Sequence, residues 1–406
     1  MNILYLCDEY PPGRHGGIGT AVQLLAREMV QQGHKVIVAG FYEWGYGQKD
    51  EFEDMGVKVY RFRRGLDTRL LADKESLTVR AAYKVMFLSG IFQKDINRSI
   101  KKYRAFLEGL IKEHNIELVE MPDFNDYMLY CTKYTPFPKL SVPIVVKLHG
   151  STTFIRKETG NKLPAQIWKM EHDLLQQATA VVSVSKYAAK KTAEYLDYNK
   201  KIPVLYNGIN TGISVKGISK IPGRVIFTGT LVESKGIYKL MEAWNIINEK
   251  MPEAELYILG KGPIERVKSR LNERAKGSVI FKGHVSKEEV YRQLSEASIA
   301  VFPSYVESFG LAALEAILCS DAVINTNRAA GPELMADGVN GYIIDPDDTE
   351  QIAERVIHLL QHTDEAQTLG ENGYRLAKEK FDIKVTTRET ILFYKSIING
   401  TTYESC

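Results

Sequence analysis

The sequence predicts an α/β chain built from two doubly wound, Rossmann-like domains. Short apolar runs alternate with helical stretches along nearly all of it. Gly-rich loops follow several of those runs. The alternation breaks once, over residues 206–222, where glycines and a proline cluster, and then restarts. A length of 406 residues also exceeds one ordinary core of about 150.

Each element has its own signal. Ile3–Cys7 is a continuous apolar run, as a buried parallel strand would be. A Pro- and Gly-rich loop follows, and then Thr20–Gln32 carries Val22, Leu25, Ala26 and Met29 at helical spacing. Gly33 ends that helix, and Lys35–Ala39 is the next strand. Runs at 117–120, 143–148 and 180–183 continue the first sheet. Asn207-Gly208 is a turn, and Gly212, Gly217, Pro222 and Gly223 mark a linker near residue 215. Beyond it come strands at 224–228, 255–259, 279–281, 299–302 and 322–325, with helices at 237–250 and 263–275 among them. Alternation of this kind implies parallel sheets with helices on both faces. The expected domains are 1–210 and 218–383, with a last helix near 384–400 packing back on the first.

Composition excludes several classes. Hydrophobic residues make up 44% and charged residues 25%, which is ordinary globular usage and rules out a disordered, collagen-like or coiled-coil chain. A formal net charge of +3 argues against a dedicated nucleic-acid binder. Cys7, Cys131, Cys319 and Cys406 stand far apart, with no CxxC pair, so neither a zinc site nor a disulfide framework is indicated. Reduced, cytoplasmic thiols are the simplest reading. The opening apolar run is too short for a signal peptide, and no apolar stretch reaches the length of a membrane span.

The strongest chemical signal is the stretch from Pro303 to Ala316. An apolar strand ends at Pro303, a polar loop follows, and a helix is expected to start near Phe309. The amides of Phe309, Gly310 and Leu311 at that helix start favour an anion. Glu307 lies in the loop and Glu315 on the helix, eight positions apart. A carboxylate beside a phosphate site is suited to accept hydroxyl hydrogen bonds from a ribose.

This pair resembles the E-x7-E motif of retaining glycosyltransferases, family 4, with the GT-B fold. Other pieces of the chain are similar to that family's motifs and stand in its order. They are Tyr10-Pro11-Pro12 with Gly16-Gly17-Ile18-Gly19, Gly33-His34, His149-Gly150, Tyr206-Asn207-Gly208, Phe227–Gly236, Leu259–Pro263, Ala330–Leu334 and Asn340-Gly341. The resemblance implies two Rossmann-like domains facing a central cleft. It implies that His149, Glu307 and Lys235 act at the reacting sugar and diphosphate. Gly16, Gly17, Thr230, Ser308, Phe309, Gly310, Leu311 and Glu315 would bind the donor, with Glu315 on the ribose. Gly283, His284 and Val285 would lie beside the base. The implied reaction is same-face displacement of a diphosphate by an acceptor hydroxyl, with no cofactor or metal beyond the nucleotide-sugar, such as a UDP- or GDP-sugar. The acceptor would be a saccharide or a lipid-linked acceptor, in cell-surface polysaccharide or glycan synthesis.

Two positions depart from the family. Thr230 stands where an arginine is usual, so one cation is missing from a site that holds about two negative charges; Arg14 or Arg328 is the expected substitute. Cys319-Ser320-Asp321 lacks the usual Gly and Pro after its helix. The string Asp345-Pro346-Asp347-Asp348 reads as an N-capping turn rather than a metal site. Between Arg61 and Arg104 there are twelve Lys/Arg and four Asp/Glu around an apolar run at 85–92. That suits either a peripheral contact with the inner membrane face or an amphipathic core helix with a solvated basic face. Two rivals remain: a nucleotide-binding partner protein of the same fold with weak or no activity, supported by Thr230, and a phosphorylase or epimerase acting on sugar nucleotides. An NAD-dependent oxidoreductase is disfavoured, because Gly17-Ile18-Gly19 lacks the third glycine of its fingerprint.

Overall fold

The computed structural model describes residues 1–13, 15–47, 49–69, 76–212 and 219–403. Arg14, Cys406 and the expected linker centre near 215 lie outside them.

The chain forms two compact units. The first comprises 1–184, 188–208 and 386–406; the second comprises 185–187 and 209–385. In the first, β1 (Asn2–Leu6) leads through α1 (Gly17–Gln31) to β2 (Lys35–Tyr42). A hairpin of β3 (Glu51–Asp54) and β4 (Val57–Arg63) follows, then α2 (Leu77–Leu88), α3 (Ile91–His114) and β5 (Leu118–Pro122). The unit continues with β6 (Ile144–Leu148), α4 (Thr152–Glu158), α5 (Ala165–Gln177) and β7 (Ala180–Ser183), and α6 (Lys186–Tyr195) begins at the boundary.

The sheet order is β3-β4-β2-β1-β5-β6-β7. All neighbours are parallel except β3 with β4. Without the β3 edge this is the doubly wound 3-2-1-4-5-6 order, whose reversal lies between β1 and β5. The central strands are buried on both faces, which is why they read as unbroken apolar runs. Helix α1 buries Val22, Leu25, Ala26 and Met29.

The second unit repeats the design. It runs β8 (Arg224–Thr228), α7 (Ile237–Lys250), β9 (Glu255–Leu259), α8 (Ile264–Lys268), β10 (Val279–Gly283), α9 (Lys287–Glu296) and β11 (Ile299–Phe302). Then come α10 (Leu311–Leu318), β12 (Ala322–Thr326), α11 (Gly331–Leu334), β13 (Tyr342–Ile344), α12 (Thr349–Gln361) and α13 (Thr363–Lys380). The sheet order β10-β9-β8-β11-β12-β13 is again 3-2-1-4-5-6, reversing between β8 and β11. Trp244, Ile247, Leu240 and Val356 pack on the sheet from its helices.

Helix α14 (Ile383–Asn399) contributes Ile391, Phe393 and Tyr394 to the core of the first unit, beside Ile3, Tyr5 and Val36. The Tyr394 hydroxyl donates to Glu120 Oε2 at 2.5 Å inside that core. Burial raises the Glu120 carboxyl above its ordinary range.

The sequence reading of 61–104 needs two corrections. Arg61 and Arg64 are interior, 3% and 1% exposed, and stack on Phe52 and Tyr130 at 4.8 and 4.6 Å. They add nothing to a basic surface. Helix α3 is the expected amphipathic core helix, burying Phe92, Ile96, Ile100, Tyr103 and Leu107. Helix α2 is not, because none of its residues is buried. The helix expected over 263–275 is also shorter, ending at Lys268, with a separate 3-10 turn at Ala275–Ser278.

Candidate functional site

The site in the second unit grows from the sheet's reversal point, where loops after β8 and β11 diverge and leave a crevice. After β8, the chain turns at Gly229 and reaches a 3-10 turn, Glu233–Lys235. Gly236 has φ +69°, and a Cβ there would fall 1.8 Å from the Pro303 carbonyl oxygen. Only glycine lets the Lys235 turn lie this close to the end of β11. After β11, Tyr305 N and Val306 N both donate to Ser234 O, at 2.9 and 3.1 Å. The two loops are thus tied together, and the Lys235 ammonium is paired with Glu307 Oε2.

Helix α10 begins directly beyond. Gly310 is its N-cap with φ +101°, and Leu314 N is bonded back to Gly310 O at 3.0 Å. The amides from Leu311 onward therefore form the open first turn. Phe309 is buried edge-on against Phe381, ring centroids 5.8 Å apart, which anchors the loop before the helix. The Ser308 carbonyl accepts from the Ser185 hydroxyl at 2.6 Å within the same unit. One small cavity is lined by Thr228, Gly229, Lys235, Ser304, Glu307, Phe309, Gly310 and Asn325. The Thr228 hydroxyl in its wall is buried without a hydrogen-bond partner. A cation, helix-start amides and the unsatisfied Thr228 hydroxyl around one cavity make a site for an oxygen-rich anion.

Glu315 does not line that cavity. It sits one turn further along α10, nearly buried, and its Oε1 accepts from Lys287 at the start of α9. Gly283, His284 and Val285 lie at the end of β10 just before α9, and His284 is exposed. Thr230 is exposed beside the β8 loop. Sequence reasoning missed Lys287, Ser304 and Asn325. Lys287 carries no motif beyond the Ser286 helix cap, so its pairing with Glu315 was invisible without the fold.

The expected substitute cation Arg328 is already committed. Its guanidinium holds Asp345 and Asp347 at 2.8 and 2.6 Å. Asp347 also accepts from the Tyr305 hydroxyl at 2.7 Å. Asp348 caps α12 by accepting from Gln351 N at 2.9 Å.

The first unit places its own expected residues at the carboxyl edge of its sheet. His149 follows β6, and its backbone amide donates to Asp123 Oδ1 at 2.8 Å, with Gly150 N on Oδ2 at 3.2 Å. Burial, and then the charge of Lys147, push the His149 imidazole down to about 3, so the ring is neutral. Gly16 and Gly17 open α1 beside Glu9, whose Oε1 accepts from Gly19 N at 2.7 Å. A Cβ on Gly19 would clash with the Glu9 carbonyl at 2.2 Å, so that glycine sets the close turn, while a Cβ on Gly16 would meet the Glu9 carboxylate only at ordinary contact distance, 3.4 Å.

Known proteins agree with this architecture. Residues 15–212 match the pattern described as Glycosyltransferase Family 4, and residues 213–376 that of Glycosyl transferases group 1. An uncharacterized glycosyltransferase of Methanocaldococcus jannaschii is 28% identical over 59% of this chain and 65% of its own length. A glycogen synthase of Mycobacterium tuberculosis is 23% identical over 98% of this chain and 96% of its own. Among solved structures, Anabaena HepE in complex with UDP and glucose superposes with a TM-score of 0.68 at 16% identity, covering 98% of this chain and all of that one. The two family patterns follow one another through residues 15–376, and the chain belongs to the family 4, group 1 glycosyltransferases of GT-B fold.

Proposed function

We propose that the enzyme moves a sugar from a nucleotide-sugar to a saccharide or lipid-linked acceptor with retention of configuration, in polysaccharide synthesis. The observation that carries this reading is the Lys235–Glu307 pair at the open start of α10. The diphosphate takes the Lys235 ammonium and the first-turn amides, and Glu307, released from the lysine, faces the sugar. Charge-assisted hydrogen bonds of this kind are worth roughly 1.5–3 kcal/mol each. As the bond to the anomeric carbon breaks, negative charge grows on the leaving phosphate, where these donors already point. The departing oxygen takes the proton of the acceptor hydroxyl on the same face. The neutral His149 ring offers a hydrogen bond to the sugar without adding charge. Lys235 and the amides supply the charge stabilisation, so the reading expects turnover in EDTA. The glycogen synthase relative and the UDP-bound neighbour support the donor class and the polysaccharide role. The test is the anomeric configuration of the product by NMR: retention supports the reading and inversion overturns it.

The same reading includes a peripheral membrane contact through α2. Leu77, Val85 and Leu88 are 78%, 63% and 71% exposed, and Arg80 and Lys84 flank them. Over residues 77–104 there are seven Lys/Arg and one Asp/Glu. An outward apolar ridge with cations at its border suits an anionic bilayer surface, where each cation adds about 1 kcal/mol. Co-sedimentation with vesicles containing phosphatidylglycerol should occur, and should fall with salt and in a Leu77→Gln, Leu88→Gln variant. Absence of binding, or binding unchanged by both, would remove this part of the proposal.

A further inference from the structure

Glu315 is 8% exposed, and its carboxylate is asymmetrically used. Oε1 accepts from the Lys287 ammonium, while Oε2 has no hydrogen-bond partner among the described residues. Lys287 reaches it from another helix, although it is the first residue of α9. A cation in a first turn faces the positive end of the helix dipole, so this position is unfavourable for α9 itself. The helix cap is already supplied by Ser286, whose hydroxyl accepts from Glu289 N at 3.2 Å. The Lys287 ammonium also lies over the Tyr291 ring, with Nζ 5.2 Å from the centroid. Burial, and then the charge of Glu315, raise the Tyr291 phenol well above its ordinary value, so the phenol stays protonated beside this pair. The Lys287 ammonium is thus held between an aromatic ring and a nearly buried carboxylate.

We infer that Lys287 is a positioning residue for nucleotide recognition: it fixes one oxygen of Glu315 so that the other is presented to a ribose hydroxyl. The inference rests on the proposed function, in which Glu315 binds the ribose. A carboxylate held at one oxygen cannot swing, and a hydroxyl donor meets an acceptor already oriented. Without the lysine, the carboxylate would be left nearly buried and unpaired, and it would be free to turn. Lys287 therefore acts through Glu315 on the sugar ring of the nucleotide and not on the phosphates.

Deoxynucleotides separate these roles. Affinities of UDP, GDP and ADP, each with its 2′-deoxy and 3′-deoxy form, are measured by calorimetry on the full chain. For the nucleotide that binds, the native enzyme should prefer the ribose form over at least one deoxy form. In Lys287→Met that preference should fall by about tenfold, through weaker binding of the ribose form, with the deoxy form changed less than about twofold. Lys287→Arg should restore most of the preference. Equal loss of ribose and deoxyribose forms would assign Lys287 to the phosphates or to general structure and overturn the inference. An unchanged preference in a folded Lys287→Met variant would do the same. If the native enzyme itself shows no ribose preference, the ribose assignment of Glu315 fails first, and the inference falls with it.

Discussion

Asp8, at the carboxyl end of β1, shows how single residues in this fold trade charge against burial. Its Oδ1 accepts from Phe41 N at 2.7 Å. Burial, and then the negative charge of Asp126, push its carboxyl up to about 7. The fold thus holds a proton that the unfolded chain, with a carboxyl near about 3.9, releases. The stabilisation linked to that proton is complete below about pH 4 and is lost as pH rises through about 7. An Asp8→Asn variant keeps a carbonyl acceptor for Phe41 and cannot ionise. Its melting temperature should gain on that of the native chain between pH 5 and pH 8; parallel curves would contradict the assignment. Residue roles of this kind were only partly legible. Glu307 and Lys235 stood out only in company: alone they read as a helix cap and a surface lysine, and the ordered set of neighbouring motifs raised them. Lys287 did not, because its partner lies on another helix, 28 residues along the chain.

At the scale of elements, strands at 180–183, 224–228, 255–259 and 299–302 and the helix at 237–250 coincide with the structure, because two-sided burial leaves continuous apolar runs. The β3–β4 hairpin was missed. Its inward residues alternate with Lys58, Tyr60 and other partly exposed side chains, and its acidic edge strand, Glu51–Asp54, has no apolar run at all. Its turn residues Met55-Gly56 both take positive φ, 51° and 85°, without the Asn-Gly or Asp-Gly pair that signals such a turn in a sequence. The turn after α10 explains one departure from the family pattern. Ser320 takes a left-handed conformation, φ 56°, that a glycine would adopt without cost. Ser320→Gly should therefore stabilise the second unit by about 1 kcal/mol, a rise of roughly 2–4 °C in its melting temperature. A lowered melting temperature would show that the Ser320 side chain earns its place through contacts instead.

At the scale of the whole molecule, two sheets that share one strand order apart from the β3 edge each open a crevice at their own reversal point. The sequence made this architecture legible because the period of alternation changes only at the linker. The charge of the first unit's surface was less legible: counting lysines and arginines over 61–104 could not separate interior Arg61 and Arg64 from the exposed ridge of α2. The central claim is that the second unit binds a nucleotide-sugar through Lys235 at the start of α10. A thermal-shift panel of UDP-, GDP- and ADP-sugars in EDTA tests it most directly, on the native chain and on Lys235→Ala. A ligand at one hundred times its Kd stabilises the folded state by about 2.7 kcal/mol. A raised midpoint is expected with one nucleotide class in the native chain, with most of that rise lost in Lys235→Ala. No shift with any donor in the folded native chain, or an undiminished shift in Lys235→Ala, would contradict it.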